Sequence, residues 1–131
     1  MANKDHLNIL VFSDDSSFRE EIKAAIGLHP YVGSPQVTFH DAATSFGVTS
    51  ILEENHVDLA IFDGEVQKDG AMSVAHTVHD TLPEDSIPPI VFIVARQQDE
   101  WLARGAHASL ILTQPVEPIL LQEQVAQLLK R

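Results

Sequence analysis

Val57-Asp58-Leu59-Ala60-Ile61-Phe62 is an apolar run interrupted once, and it stops at the charged group Asp63-Gly64-Glu65. Six residues is strand length, and near-continuous apolarity without strict alternation marks a strand buried on both faces. Ile90-Val91-Phe92-Ile93-Val94, led in by Pro88 and Pro89, is a second such run, and Leu7-Asn8-Ile9-Leu10-Val11-Phe12, ending at the polar residues 13–17, is a third. Weaker strands are predicted over residues 36–39 and 108–112. The segments between them change period. Phe18, Ile22, Ala25 and Ile26 recur at helical spacing until Gly27 and Pro30, with Ser17 and Glu20 at capping-box distance. Val48, Ile51 and Leu52 can share a face within residues 42–55, and Ala71, Val74, Ala75, Val78 and Leu82 form a stripe closed by Pro83. A short helix over 99–104 and a last one opened by Pro118 and carrying Leu121, Val125, Leu128 and Leu129 complete the series. Five strands alternating with five helices predict one α/β domain over residues 1–131, a doubly wound parallel sheet with helices on both faces.

Eight basic against nineteen acidic side chains leave a net charge of −11. That sign opposes binding to nucleic acid and to anionic membrane surfaces. No window approaches the roughly 18 apolar residues of a membrane span. The stretch ahead of Leu7 carries Lys4, Asp5 and His6 and has no signal-peptide core, and cysteine is absent, which removes disulfides, thiolate metal sites and cysteine nucleophiles. The expectation is a cytoplasmic protein that touches neither nucleic acid nor membrane.

In doubly wound sheets the ligand crevice lies outside the carboxyl ends of the strands, where strand order reverses. Ser13, Asp14 and Asp15 follow the first strand, Asp63 and Glu65 the third, Val94 and Ala95 the fourth, and Thr113 and Gln114 the fifth. The first and third strands are expected to be neighbours. Several carboxylates then meet, which is unfavourable unless a divalent cation or a retained proton offsets their repulsion. Oxygen ligands of this kind suit Mg²⁺.

The acidic cluster after the first strand, the lone Asp63 after V-D-L-A-I-F, and Gln114-Pro115 after the fifth strand together resemble the receiver domain of bacterial response regulators. The resemblance covers residues 7–129, and the stretches L-A-I-F-D-G-E and D-E-W-L-A are similar to small stand-alone receiver-like proteins of actinobacteria. It implies strand order 2-1-3-4-5 in a flavodoxin-like fold, and a role in phosphorelay signalling exercised through protein–protein contact without enzymatic activity. Asp63 matches the phospho-acceptor. Asp14 matches the second acid of the Mg²⁺ pair, Ser13 stands where the first acid is expected, and Glu65 offers its backbone carbonyl to the metal; Asp15 would substitute for Ser13 if the loop slips by one residue. Asp69-Gly70 matches the pair before the third helix.

The rest of the pattern is degenerate. The hydroxyl residue expected at the end of the fourth strand is Val94, the lysine after the fifth strand is Gln114, and the aromatic residue three positions earlier is Ile111. A charge-assisted hydrogen bond contributes about 1.5 to 3 kcal/mol and a hydroxyl bond about 1, so roughly 2.5 to 4 kcal/mol of contact with a phosphoryl group is lost. Shifting a two-state equilibrium from 1:99 to 99:1 takes about 5.5 kcal/mol. Phosphorylation at Asp63 is therefore expected to be inefficient or absent. The alternative is a phosphorylation-independent binding scaffold. The partner implied is a sensor histidine kinase or another signalling protein, with the chain a monomer or a weak dimer through the face from the fourth to the fifth helix. Trp101, on the fourth helix, either packs on the core or anchors a partner there.

Other readings carry less. Asp63-x-Glu65 faintly resembles the D-x-D of aspartate-nucleophile phosphatases, but the chain is too short for their usual cap. A flavin carrier would need a phosphate loop free of carboxylates, against Asp14 and Asp15. His76 and His79 lie three apart on the third helix, and with no third ligand in view they are expected to form a solvated face.

Overall fold

The computed structural model describes residues 6–65, 70–96, 100–105 and 107–130, the side chains of residues 100–102 excepted. The elements are β1 (His6–Phe12), α1 (Ser16–Ile26), β2 (Gln36–Ala42), α2 (Ser45–Glu54), β3 (Leu59–Asp63), α3 (Ala71–Thr81), β4 (Ile90–Val94), α4 (Glu100–Gly105), β5 (Leu110–Thr113) and α5 (Pro118–Leu129). The strands form one sheet in the order β2-β1-β3-β4-β5, every pairing parallel. The doubly wound architecture and strand order expected from the sequence are those observed. No helix among the described residues is long and apolar enough to cross a membrane.

The buried strands read as continuous apolar runs because alternate side chains feed two different cores. Leu10, Phe12, Ala60, Phe62, Phe92 and Val94 face Val48 and Leu52 of α2, Val74, Ala75 and Val78 of α3, and Ala103 of α4. Ile9, Val11, Leu59, Ile61, Val91 and Ile93 face Phe18, Ile22 and Ile26 of α1 and Leu121 and Val125 of α5. On the first face Phe12, Phe62 and Phe92 lie side by side on three neighbouring strands, with ring centroids 5.2 Å apart edge-on and 5.6 Å apart tilted. Such aromatic pairs contribute about 0.5 to 1.5 kcal/mol beyond their burial. This aromatic row underlies the crevice, since Phe12 and Phe62 immediately precede Ser13 and Asp63.

Some local expectations are corrected. The cap of α1 is Asp15, whose carboxylate accepts from the Ser17 amide at 2.9 Å and the Ser17 hydroxyl at 2.6 Å, while Glu20 pairs with Lys23 and closes no capping box. The second strand runs on to Ala42 because pairing with β1 continues to Phe12, and so α2 starts later, with Thr44 as its cap. Val57 precedes β3 yet remains buried, and Asp58 accepts the Asn8 amide at 2.8 Å. The fifth strand starts at Leu110 and reaches Thr113.

Phe62→Ala is expected to cost about 3 to 5 kcal/mol, as removal of a fully buried aromatic side chain leaves a cavity. Phe46→Ala, at a ring 82% exposed on α2, is expected to change stability by no more than about 0.5 kcal/mol. Urea unfolding of both variants checks the contrast, and similar losses would show that the aromatic row is not a main contributor.

Candidate functional site

Asp63 is the last residue of β3 and is 5% exposed. Ser13, the first residue beyond β1, is fully buried beside it, anchored by its own amide donating to the Ala42 carbonyl at 3.0 Å. The Ser13 hydroxyl donates to Asp63 Oδ2 at 2.7 Å and accepts the Asp15 amide at 3.0 Å. The other carboxylate oxygen, Asp63 Oδ1, accepts the Glu65 amide at 2.9 Å. Each oxygen of the buried carboxylate thus has a short-range donor supplied by the two loops.

The loop after β3 is tied to the next strand. The Gly64 amide donates to the Ile93 carbonyl at 2.8 Å, and Glu65 Oε2 accepts the Ala95 amide at 3.2 Å. A side chain at position 64 would place its first carbon 3.0 Å from both the Ile93 oxygen and Val94 Cγ1. Only glycine allows that approach without displacing backbone. The spacing Asp63-Gly64-Glu65 therefore has a packing cause.

Burial sets the electrostatics. It raises the Asp63 pKa above the ordinary carboxylate value; the hydrogen bonds from Ser13 and Glu65 act in the opposite direction, and the charges of Glu65 and Asp14 add to the rise. Asp14 and Glu65 are both exposed. Asp15 moves the other way, lowered by the hydroxyl and amide of Ser17. Of the two ways to offset crowded acids, the retained proton is the one toward which Asp63 is shifted.

The remaining predicted positions fall on β4 and β5. Val94 ends β4, fully buried, its methyl group facing Gly64. Gln114 follows β5, is exposed, and donates its amide to the Val94 carbonyl at 2.8 Å ahead of a cis Gln114-Pro115 bond. Ile111 is half-buried against the core beneath α2, α3 and α4. A cleft of about 550 Å³ between α1 and the β5–α5 loop is lined by Asp15, Phe18, Glu21, Gln114 and Val116 among others, and Asp63 is not part of its lining. The side chain of Trp101, and Asp69, lie outside the described residues.

Sequence reasoning missed Arg19. Its Nη1 donates to the Ser13 carbonyl at 2.6 Å and its Nε to Asp41 at 3.1 Å, while Lys23 joins the same Asp41 at 3.0 Å. A guanidinium thus holds the loop that carries Ser13 against the end of β2. The available signal was a basic residue one turn into the helix that follows an acidic loop.

Over 124 residues the chain is 36% identical to a response regulatory protein of Mycobacterium tuberculosis, a match that covers 95% of this chain and 92% of the relative and recurs in strains CDC 1551 and H37Rv. The chain belongs to the response-regulator receiver domains. No family model matches it. Solved structures share the receiver fold at low identity. They include a CheY-like receiver domain from Methanospirillum hungatei at TM-score 0.73 and 21% identity, covering 95% of this chain and 94% of that one. A two-component response regulator from Clostridium difficile follows at 0.76 and 16%, covering 95% and 97%.

Receiver domains typically bind Mg²⁺ at the phospho-acceptor aspartate. The side chains around Asp63 do not fit that ion in this arrangement. Ser13 brings a neutral hydroxyl already donated to Asp63, and the Asp15 carboxylate is committed to the cap of α1. Asp14 is then the acid left beside Asp63. Among the described residues no three carboxylates or imidazoles already converge as a metal ligand set.

A raised pKa means that the folded chain binds the Asp63 proton more tightly than the unfolded chain does. The stabilisation from that group is then full in acid and falls as pH rises through the folded value. Asp63→Asn removes the buried charge while keeping an acceptor for the Glu65 amide. It is expected to raise the melting temperature by a few degrees at about pH 7 and to give no gain at about pH 3. Thermal melts across that range check this, and equal shifts at both ends would rule out charge burial as the cause.

Proposed function

We propose that this receiver is a stand-alone, atypical member of two-component signalling that acts by binding a partner protein, with Asp63 an inefficient phosphoryl acceptor. The observation that carries the reading is the 2.7 Å hydrogen bond from buried Ser13 to Asp63 Oδ2. Accepting a phosphoryl group requires an ionised carboxylate oxygen to attack phosphorus and form an acyl phosphate. A hydroxyl donor on one oxygen, an amide donor on the other and a raised pKa all reduce the availability of that lone pair. The product would bring about two negative charges beside Asp14 and Glu65, facing the Val94 methyl group and no lysine from position 114.

Stand-alone status is supported by the relative from Mycobacterium tuberculosis, 92% of whose length this chain matches; little of that protein remains for an output domain. The partner proposed is a sensor histidine kinase or another signalling protein of the same system, met in the cytoplasm by a monomer or weak dimer. The face from α4 to α5 is the proposed contact, since Ile119 and Leu120 of α5 are exposed apolar side chains. The second reading, a scaffold indifferent to phosphorylation, is favoured by one further observation. Among the described residues no buried side-chain polar atom lacks a partner, so the Asp63 pocket is satisfied with no added group.

Incubation with Mg²⁺ and a small acyl phosphate, read by intact mass, tests the proposal. Wild type is expected to carry the added phosphate on no more than about a tenth of its chains. Ser13→Asp combined with Val94→Thr and Gln114→Lys restores the missing contacts and is expected to gain about tenfold or more in occupancy. Near-complete phosphorylation of wild type would overturn the inefficient-acceptor reading. No added mass on wild type, with partner capture unchanged in Asp63→Asn, would establish the scaffold instead.

A further inference from the structure

Phe46 is the second residue of α2 and its ring is 82% exposed, so it contributes little to folding. The turn that carries it is fixed by the helix cap, where Thr44 Oγ1 accepts the Gly47 amide at 3.1 Å. Between α2 and α3 opens a cleft of about 380 Å³, lined by Ser45, Phe46, Thr49, Ser73, Val74 and Thr77. The Thr49 hydroxyl donates to the Ser45 carbonyl at 3.2 Å, so its polar demand is met within the helix. A cavity of about 150 Å³ already admits benzene, and this cleft has room for a phenyl ring. One patch of surface thus carries both a protruding ring and a cavity able to receive one.

Charge separates this cleft from others on the molecule. Four other clefts each hold acids: Asp15 and Glu21 in one, Glu123 in the next, Glu84 in the third, Asp58 and Asp85 in the fourth. None of the six residues around the α2–α3 cleft is ionisable. The acids of α2, Glu53 and Glu54, occupy its last two positions, and the one acid of α3, Asp80, lies in its last turn.

A chain of net charge −11 repels its own copies. In a two-fold contact each residue near the axis meets its own counterpart, so an acid there would face an acid. A neutral patch with ring and cavity side by side satisfies both the charge and the shape requirement of a self-complementary contact. A different partner would answer the acidic surface with basic residues, and this patch offers them no acid to pair with.

We propose that the Phe46 face of α2 and α3 is the contact of a symmetric dimer of this chain, in which Phe46 of each copy enters the α2–α3 cleft of the other. Two rings at about 150 to 250 Å² each, with the cleft walls they cover roughly doubling that area, place the contact in the small, transient class below about 1,200 Å². The contact is independent of the Asp63 pocket. It also leaves Ile119 and Leu120 available to a second protein, since α2 and α3 pack on one face of the sheet and α5 on the other.

Sedimentation equilibrium of the untagged full chain from about 10 μM to about 1 mM, with two-dimensional NMR over the same range, tests the contact. The expected result is a mass that rises from one chain toward two, with a dissociation constant of about 100 μM. Added salt should tighten it, because screening weakens the repulsion between two acidic chains. The amides that shift with concentration should lie in the first turn of α2 and along α3. Phe46→Ala and Ser73→Glu should each weaken association about tenfold or more. A single-chain mass at about 1 mM overturns the proposal, as does a dimer that salt dissociates. Association unchanged by both substitutions, or shifts centred on Ile119 and Leu120, overturns it equally. The wild-type shifts keep the test decisive if a variant fails to fold.

Discussion

A carboxylate held out of water at the end of a central strand is the constraint around which this receiver is arranged. Parallel strands covered on both faces leave the Asp63 side chain only the rim between β1 and β3, and there it is 5% exposed. An ionised group so placed costs several kcal/mol unless donors replace its water. The two loops at the rim supply them. Ser13 and the Glu65 amide each occupy one oxygen, Gly64 lets the second loop approach β4 closely enough for Glu65 to reach the Ala95 amide, and Arg19 secures the first loop from α1. Shape and electrostatics at the crevice thus have one origin.

The fold was legible because three runs, V-D-L-A-I-F, I-V-F-I-V and L-N-I-L-V-F, have no stable placement other than the interior of a covered sheet. Boundaries were harder. The second strand lies at the sheet edge, where Thr38, His40 and Asp41 are accommodated only because one side faces solvent, and its true length depends on pairing with β1 that no local pattern reports. The cap of α1 was misread for a related reason. Ser13, Asp15, Ser16 and Ser17 are all capable caps, and the choice of Asp15 follows from Ser13 being drawn inward to Asp63, a contact fifty residues away in sequence.

The crevice was legible as a list of residues and illegible as a network. Position and chemistry brought Ser13, Asp14, Asp63 and Glu65 to one place, and the rise in the Asp63 pKa with contributions from Glu65 and Asp14 is consistent with that convergence. Hydrogen-bond direction is a different kind of information. A serine beside a carboxylate serves as a metal-side ligand or as a donor to the acid, and the side chain's rotamer and burial select between them. Arg19 was missed for the same reason, since its guanidinium joins the Ser13 carbonyl to Asp41 of β2, a contact that no local pattern reports.

Val94 and Ile111 lie where the family resemblance implies a hydroxyl and an aromatic switch residue, and both now belong to the core beneath α2, α3 and α4. A threonine at position 94 would need a partner for its hydroxyl in a fully buried setting, and a valine needs none. The substitution that removes a contact to a phosphoryl group therefore also removes a polar demand from the end of β4. The same holds at Asp63, where Ser13 satisfies the carboxylate that an ion would otherwise be required to balance. Under the proposed function, each of these departures would lower the energetic reason to change conformation. The net charge of −11 fits that account: lysine is missing from position 114, while Arg19 and Lys23 gather at Asp41, where they fasten α1 to the sheet edge. Arg19 and Lys23 hold the scaffold, and the buried acid of the crevice is left to the hydrogen bonds from Ser13 and the Glu65 amide.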